Sequence, residues 1–122
     1  MKQSDPLTEK IIGCCFKVHK ELGPGFNERI YQNALIILFE GQNIKYETEK
    51  EYEVKYLNTK VGKLRVDMVI EGKVILEIKA LMGNIAQVFE YQVISYLKSS
   101  GLRVGLLVNF GNKSCQIKRL MN

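Results

Sequence analysis

Two acids and a lysine, Asp67, Glu77 and Lys79, lie on adjacent segments with the alternating pattern of β-strands. Leu64, Val66, Met68 and Ile70 alternate with Lys63, Arg65, Asp67 and Val69. Val74, Leu76, Ile78 and Ala80 alternate with Ile75, Glu77 and Lys79. Between them, Glu71-Gly72-Lys73 reads as a tight turn that sets Ile70 opposite Val74. Opposed positions in an antiparallel pair sum to a constant, so Asp67 is expected opposite Glu77, about 5 Å away. Lys79, two residues on, shares the face of Glu77.

Two carboxylates this close repel, and one is pushed toward its neutral form. A divalent cation removes the conflict. Magnesium takes a few carboxylates together with waters and phosphate oxygens. It acidifies water and neutralises charge on a scissile phosphate, and a neighbouring ammonium holds the attacking water or the developing negative charge. The plainer reading is a solvated strand face with a routine ion pair. Against it, Val74 to Ile78 is otherwise wholly apolar, so Glu77 interrupts a strand expected to be buried, where an unpartnered charge is costly.

Other residues are weaker candidates. Glu28 opens a predicted helix, three residues before Tyr31 and on the same stripe. It either complements the helix N-terminus or aims a third carboxylate at the metal. Gln92 lies among Val88, Phe89 and Tyr96, where a satisfied buried amide is the plainer reading. His19, the one histidine, reads as a helix-surface or boundary residue, which disfavours hydrolytic triads. Gly23-Pro24-Gly25 lacks the Lys-Ser/Thr of a phosphate loop.

The elements that would position these groups follow in order. Asp5-Pro6 starts a first helix, with Leu7, Ile11, Cys14, Cys15, Val18 and Leu22 at helical spacing. Asn27 caps a second helix, which carries Tyr31, Ala34, Leu35, Leu38 and Phe39 and ends near Gly41. Tyr46 to Tyr56 reads as an exposed strand, Asn58-Thr59-Lys60 as a turn, and the hairpin with Asp67 and Glu77 follows. A third helix is expected over about Ile85 to Ser99, closed by Gly101. Leu102 to Phe110, broken only by Arg103 and Asn109, reads as a buried strand, and Ser114 to Leu120 as a last short one. Helix, helix, three strands, helix and two strands imply a mixed α/β fold, one domain over 1–122.

The 46% hydrophobic and 25% charged fractions are those of a globular protein. No apolar run is long enough to span a bilayer, and the N-terminus has no apolar core of signal-peptide type. Three cysteines, Cys14, Cys15 and Cys115, without a C-x-x-C pair read as free thiols. A cytoplasmic location and no membrane association are therefore expected. The net charge of +5 favours polyanionic partners.

Gly25-Phe26-Asn27-Glu28-Arg29-Ile30-Tyr31 resembles the signature of the GxxExxY family, a branch of the PD-(D/E)XK nuclease superfamily. Similar segments run nearly end to end: Ile11-Ile12-Gly13, Val18 to Gly25, Arg65-Val66-Asp67, Ile75-Leu76-Glu77-Ile78-Lys79-Ala80, Gln92 to Leu97 and Gly105 to Gly111. Val66 stands where the superfamily has its nominal proline. The resemblance implies an α-β-β-β-α-β core and a metal-dependent nuclease acting on DNA, or on RNA. It implies that Asp67, Glu77 and Glu28 ligate Mg²⁺ or Mn²⁺ and that Lys79 acts on water or phosphate. Gln92, Tyr31 and Tyr96 would support the site. Small nucleases of the superfamily include homodimers, so a homodimer is a further expectation. The rival expectation is a nucleic-acid-binding or regulatory module that keeps the fold without turnover.

Overall fold

Capping chemistry sets the helices. In the structure, a computed structural model describing residues 5–122, Asp5 accepts the Thr8 N–H at 2.8 Å and the Thr8 hydroxyl at 2.9 Å. With Pro6 in the first turn, this starts α1 (Pro6–Leu22). Gly23 ends it in a left-handed backbone, φ 72°. Asn27 accepts the Ile30 N–H at 3.2 Å and opens α2 (Glu28–Gly41). Residues 1–4, on which the absence of a signal-peptide core was partly read, lie outside the described residues.

Then come β1 (Tyr46–Tyr56), β2 (Thr59–Ile70), β3 (Val74–Lys79), α3 (Gln87–Ser100), β4 (Val104–Asn109) and β5 (Gln116–Met121). The five strands form one sheet in chain order, antiparallel except between β3 and β4. A parallel pair needs a crossover, which α3 supplies. The fold is thus the mixed α/β arrangement expected from the pattern. Leu57 and Asn58 both adopt left-handed φ angles, 49° and 63°. They form a two-residue hairpin turn, so β2 begins at Thr59 rather than near Leu64.

The sheet separates two apolar layers. On one face α1 and α2 bury Ile11, Cys15, Tyr31, Leu35 and Phe39 against Met68, Leu76, Ile78, Val108 and Phe110. On the other, Leu97 of α3 packs on Val66, Val69 and Ile75. Enclosed by both layers, β3 reads as an apolar run for the reason given for such strands. His19 is buried rather than at the surface. Its Nε2 lies 2.8 Å from the Asn112 carbonyl oxygen and its ring stacks on Phe110, because the last turn of α1 packs on the β4–β5 loop. The three cysteines are free. Among the described residues, no helix is long and apolar enough to cross a membrane.

Gly105 sets the approach of α3 to the sheet: a Cβ there would meet Val93 Cγ1 at 2.6 Å. Gly105→Ala is expected to lower stability by about 1–3 kcal/mol through overpacking. Val93→Ala in the same chain should recover part of that loss by freeing the space, a non-additivity that denaturant titration of the single and double variants measures.

Candidate active site

The β2–β3 ladder begins as expected, with Ile70 opposite Val74, and runs through Met68 opposite Leu76. There it stops, one pair short of Asp67 and Glu77. Side chains replace the missing main-chain bonds: the Asp67 N–H donates to Glu77 Oε2 at 3.0 Å, and the Ile78 N–H donates to Asp67 Oδ2 at 2.8 Å. Each carboxylate is thereby seated on the opposite strand.

The strand also turns over at this point. Met68 and Ile70 face α1 and α2 and Val69 faces α3, so strict alternation would send Val66 toward α1 and α2. Instead Val66 and Leu64 pack in the α3 layer. The register with β1 brackets the irregularity, with Thr48 opposite Met68 and Lys50 opposite Val66. Glu49 between them takes a left-handed φ of 53°, uncommon for a residue with a side chain.

Burial differs sharply across the pair. Glu77 is 7% exposed, whereas Asp67 is half-buried. Burial first, and the Asp67 charge second, push the Glu77 carboxyl up to about 9, with Lys79 pulling partly the other way. Tyr96 of α3 is held above the usual phenol range by burial and then by the charges of Glu77 and Asp67. The Lys79 ammonium stands 4.2 Å from the centre of the Phe89 ring, a cation–π contact that orients it toward α3.

On the α2 side lies an open cleft of about 580 Å³, lined by Asn27, Glu28, Arg29, Gln32, Glu49, Asp67 and Ala80. Glu28 is exposed rather than on the buried stripe, and it shares this cleft with Asp67. Gln32, four residues on and so on the same helix face, is buried deeper. Among the described residues, no three acidic, histidine or cysteine side chains converge closely enough to form a ready-made cation site. The set Asp67, Glu77 and Glu28 is therefore not preassembled as three direct ligands.

Tyr31 does not line the cleft. Its hydroxyl donates to the Gly23 carbonyl at 2.6 Å and accepts the Phe26 N–H at 3.2 Å, while its ring stacks on Phe110 at 4.4 Å. It fixes the loop from which Glu28 starts. Gln92 is exposed, not a buried amide: the packed stripe of α3 runs through Val93 and Leu97, and Gln92 lies beside it. The sequence reading missed Gln32 and Glu49. The four-residue spacing from Glu28 points to Gln32, but nothing in Tyr46–Tyr56 distinguishes Glu49 from its neighbours.

Residues 5–120 match the family described as the PD-(D/E)XK nuclease superfamily, and the chain belongs to it. Members are typically nucleases acting on nucleic acids with divalent metals such as Mg²⁺. No curated protein matches the sequence. The crystal structure of SSO0001 is similar to all of this chain over 70% of its own length, with a TM-score of 0.56 at 17% identity, a likeness of fold.

The Glu77 shift fixes a pH dependence. Unfolded, the carboxyl ionises near its ordinary 4.5; folded, it keeps its proton to about 9. Between those values the folded state binds more protons, so stability must fall as pH rises. In EDTA, melting temperature is expected to decline from pH 5 to pH 9, and Glu77→Gln should flatten that slope. Removing a carboxylate relieves repulsion but also has an opposing effect. Asp67→Ala leaves the Ile78 N–H without its acceptor, at a loss of about 1–3 kcal/mol. Asp67→Asn keeps an acceptor oxygen and should be the more stable of the two.

Proposed function

We propose that this chain is a Mg²⁺- or Mn²⁺-dependent phosphodiesterase that hydrolyses DNA, with RNA the second candidate, and that it falls in the GxxExxY branch of its superfamily. The observation that carries the reading is the seating of Asp67 and Glu77 across the β2–β3 split. There a buried carboxyl is held beside a second acid at the edge of an open cleft. For the metal-free protein this arrangement is unfavourable, and it becomes favourable when a cation binds.

The donor set fits such an ion. It consists of carboxylate oxygens, the hard ligands that Mg²⁺ and Mn²⁺ prefer, and so few protein ligands leave room for water and phosphate oxygens. Asp67 and Glu77 would hold the ion, with Glu28 acting from the cleft wall. When bound, the ion supplies positive charge that neutralises the scissile phosphate and acidifies water.

The remaining tasks fall to the chain. The Lys79 ammonium, oriented by Phe89, would hold the attacking water or a phosphate oxygen. Arg29, on the cleft wall, offers a fork of donors suited to phosphate. Gln32 and Glu49 would set the polar lining that orients the strand. Tyr96, on the α3 side, would shield the carboxylate pair from bulk water.

Cleavage of single-stranded, duplex and branched DNA and of RNA, in Mg²⁺, Mn²⁺ and EDTA, is the test. Turnover is expected only with metal. Asp67→Asn and Glu77→Gln should reduce it by about 10³-fold or more, the scale of losing a principal electrostatic group. Lys79→Ala should slow cleavage while calorimetry still detects metal binding. Parent protein that cuts nothing, yet binds DNA with a steep salt dependence, would favour the non-catalytic binding module instead.

A further inference from the structure

Beyond Lys79 and Ala80 the chain leaves the sheet, but it is not loose. The Leu81 N–H donates to Asn109 Oδ1 at 2.9 Å, and Asn109 Nδ2 donates to the Leu81 carbonyl at 2.9 Å. One residue past Met82 the pattern repeats. The Gly83 N–H donates to Asn112 Oδ1 at 2.8 Å, and Asn112 Nδ2 donates to the Gly83 carbonyl at 2.7 Å. Gln116 Oε1 accepts the second proton of both amides, at 3.3 and 2.7 Å. Two asparagine side chains thus act as a short artificial strand, pairing both main-chain groups on either side of Met82. Gly111 completes the fit: a Cβ there would lie 2.3–2.5 Å from the Leu81 backbone.

The residue between the clamped positions is apolar and 90% exposed. Burial of Met82 therefore contributes nothing to the fold, yet the backbone on both sides of it is held by four hydrogen bonds. A rigid mount for a protruding apolar side chain has a known use in nucleic-acid recognition, where such residues, methionine among them, enter a base step and unstack it. Met82 is three residues past Lys79, so their Cα atoms are at most about 11 Å apart. That is about three base steps at about 3.4 Å each.

We propose that Met82 is a wedge that enters a base step of duplex DNA close to the phosphate held at Lys79. Asn109 and Asn112 act as its positioning residues. The proposal rests on the nuclease reading and adds to it the distortion of the substrate beside the site. Unstacking relaxes the backbone next to the wedge and turns the adjoining phosphate toward the cleft.

The test uses the full chain and 20-base-pair duplexes carrying 2-aminopurine at successive positions, in EDTA at low salt so that the DNA stays intact. The parent is expected to raise fluorescence several-fold at one or a few adjacent positions, and Met82→Ala to abolish most of that rise. Met82→Leu should restore it. Melting temperature should be unchanged, because the side chain is in solvent. In Mg²⁺, Met82→Ala should raise KM about tenfold with a smaller effect on kcat. Asn112→Ala should lose part of the fluorescence rise although Met82 is intact.

Three results would overturn the wedge: equal fluorescence and cleavage for Met82→Ala and parent, DNA binding by the parent with no rise at any position, or a dimer in sedimentation that Met82→Ala dissociates. Asp67→Asn tells the two readings apart. If that variant cuts like the parent, the nuclease assignment fails at its own residues, while the fluorescence series still decides the role of Met82.

Discussion

Where β2 and β3 part, two carboxylates take over hydrogen bonds that a regular ladder would have made between main chains. Everything distinctive about the site depends on that exchange. If the ladder continued, Asp67 and Glu77 would be side chains on a closed sheet, and the cleft beside α2 would have no floor. The exchange also explains how a buried acid is tolerated. Main-chain N–H groups on the opposite strand satisfy part of each carboxylate's demand, and the like-charge conflict that remains is relieved by keeping Glu77 protonated.

The divergence falls on β2 because β3 is not free to move. From Val74 to Lys79 it is paired with β4 at every residue, the last pair joining Lys79 to Asn109. It is also packed from both faces. β2 has only a two-stranded hairpin with β1 beyond this point, and such a ribbon twists readily. It turns over at Asp67, and Glu49 on β1 absorbs the irregularity in a left-handed conformation. A rigid β3 beside a yielding β2 presents one acid in a buried setting and the other at the cleft.

A second framework places the helices. Tyr31, Phe110 and His19 form a stack that joins α2, the end of β4 and the last turn of α1. The Tyr31 hydroxyl holds the Gly23–Phe26 loop, and Asn27 caps the helix one residue later, so Glu28 enters the cleft from a fixed position. On the far side, amides from the β4–β5 region hold the segment that follows Lys79. The same strand end thus steadies both walls of the site.

Much of this was legible in the chain. The alternation around Glu71-Gly72-Lys73 determined the hairpin and its register, because the side-chain period of a strand is two and the turn length leaves one pairing. The caps at Asp5 and Asn27 and the left-handed Gly101 determined helix limits to within a few residues, because those effects are local. The pairing of Asp67 with Glu77 followed from residue type and spacing, whereas the superfamily was suggested by the resemblance of Gly25 to Tyr31 and the segments after it to family segments. Tertiary structure decided the rest. Whether the ladder continues past Met68 depends on β4 holding β3 from the other side, which no local pattern encodes. The placement of Gln32 and Glu49 in the cleft lining, the exposure of Gln92 and the burial of His19 depend on which faces meet across the sheet. Those are outcomes of packing between segments tens of residues apart, and in a strand rich in Glu and Lys such as β1 the physical chemistry of the sequence is the same for the one residue that reaches the site as for the neighbours that do not.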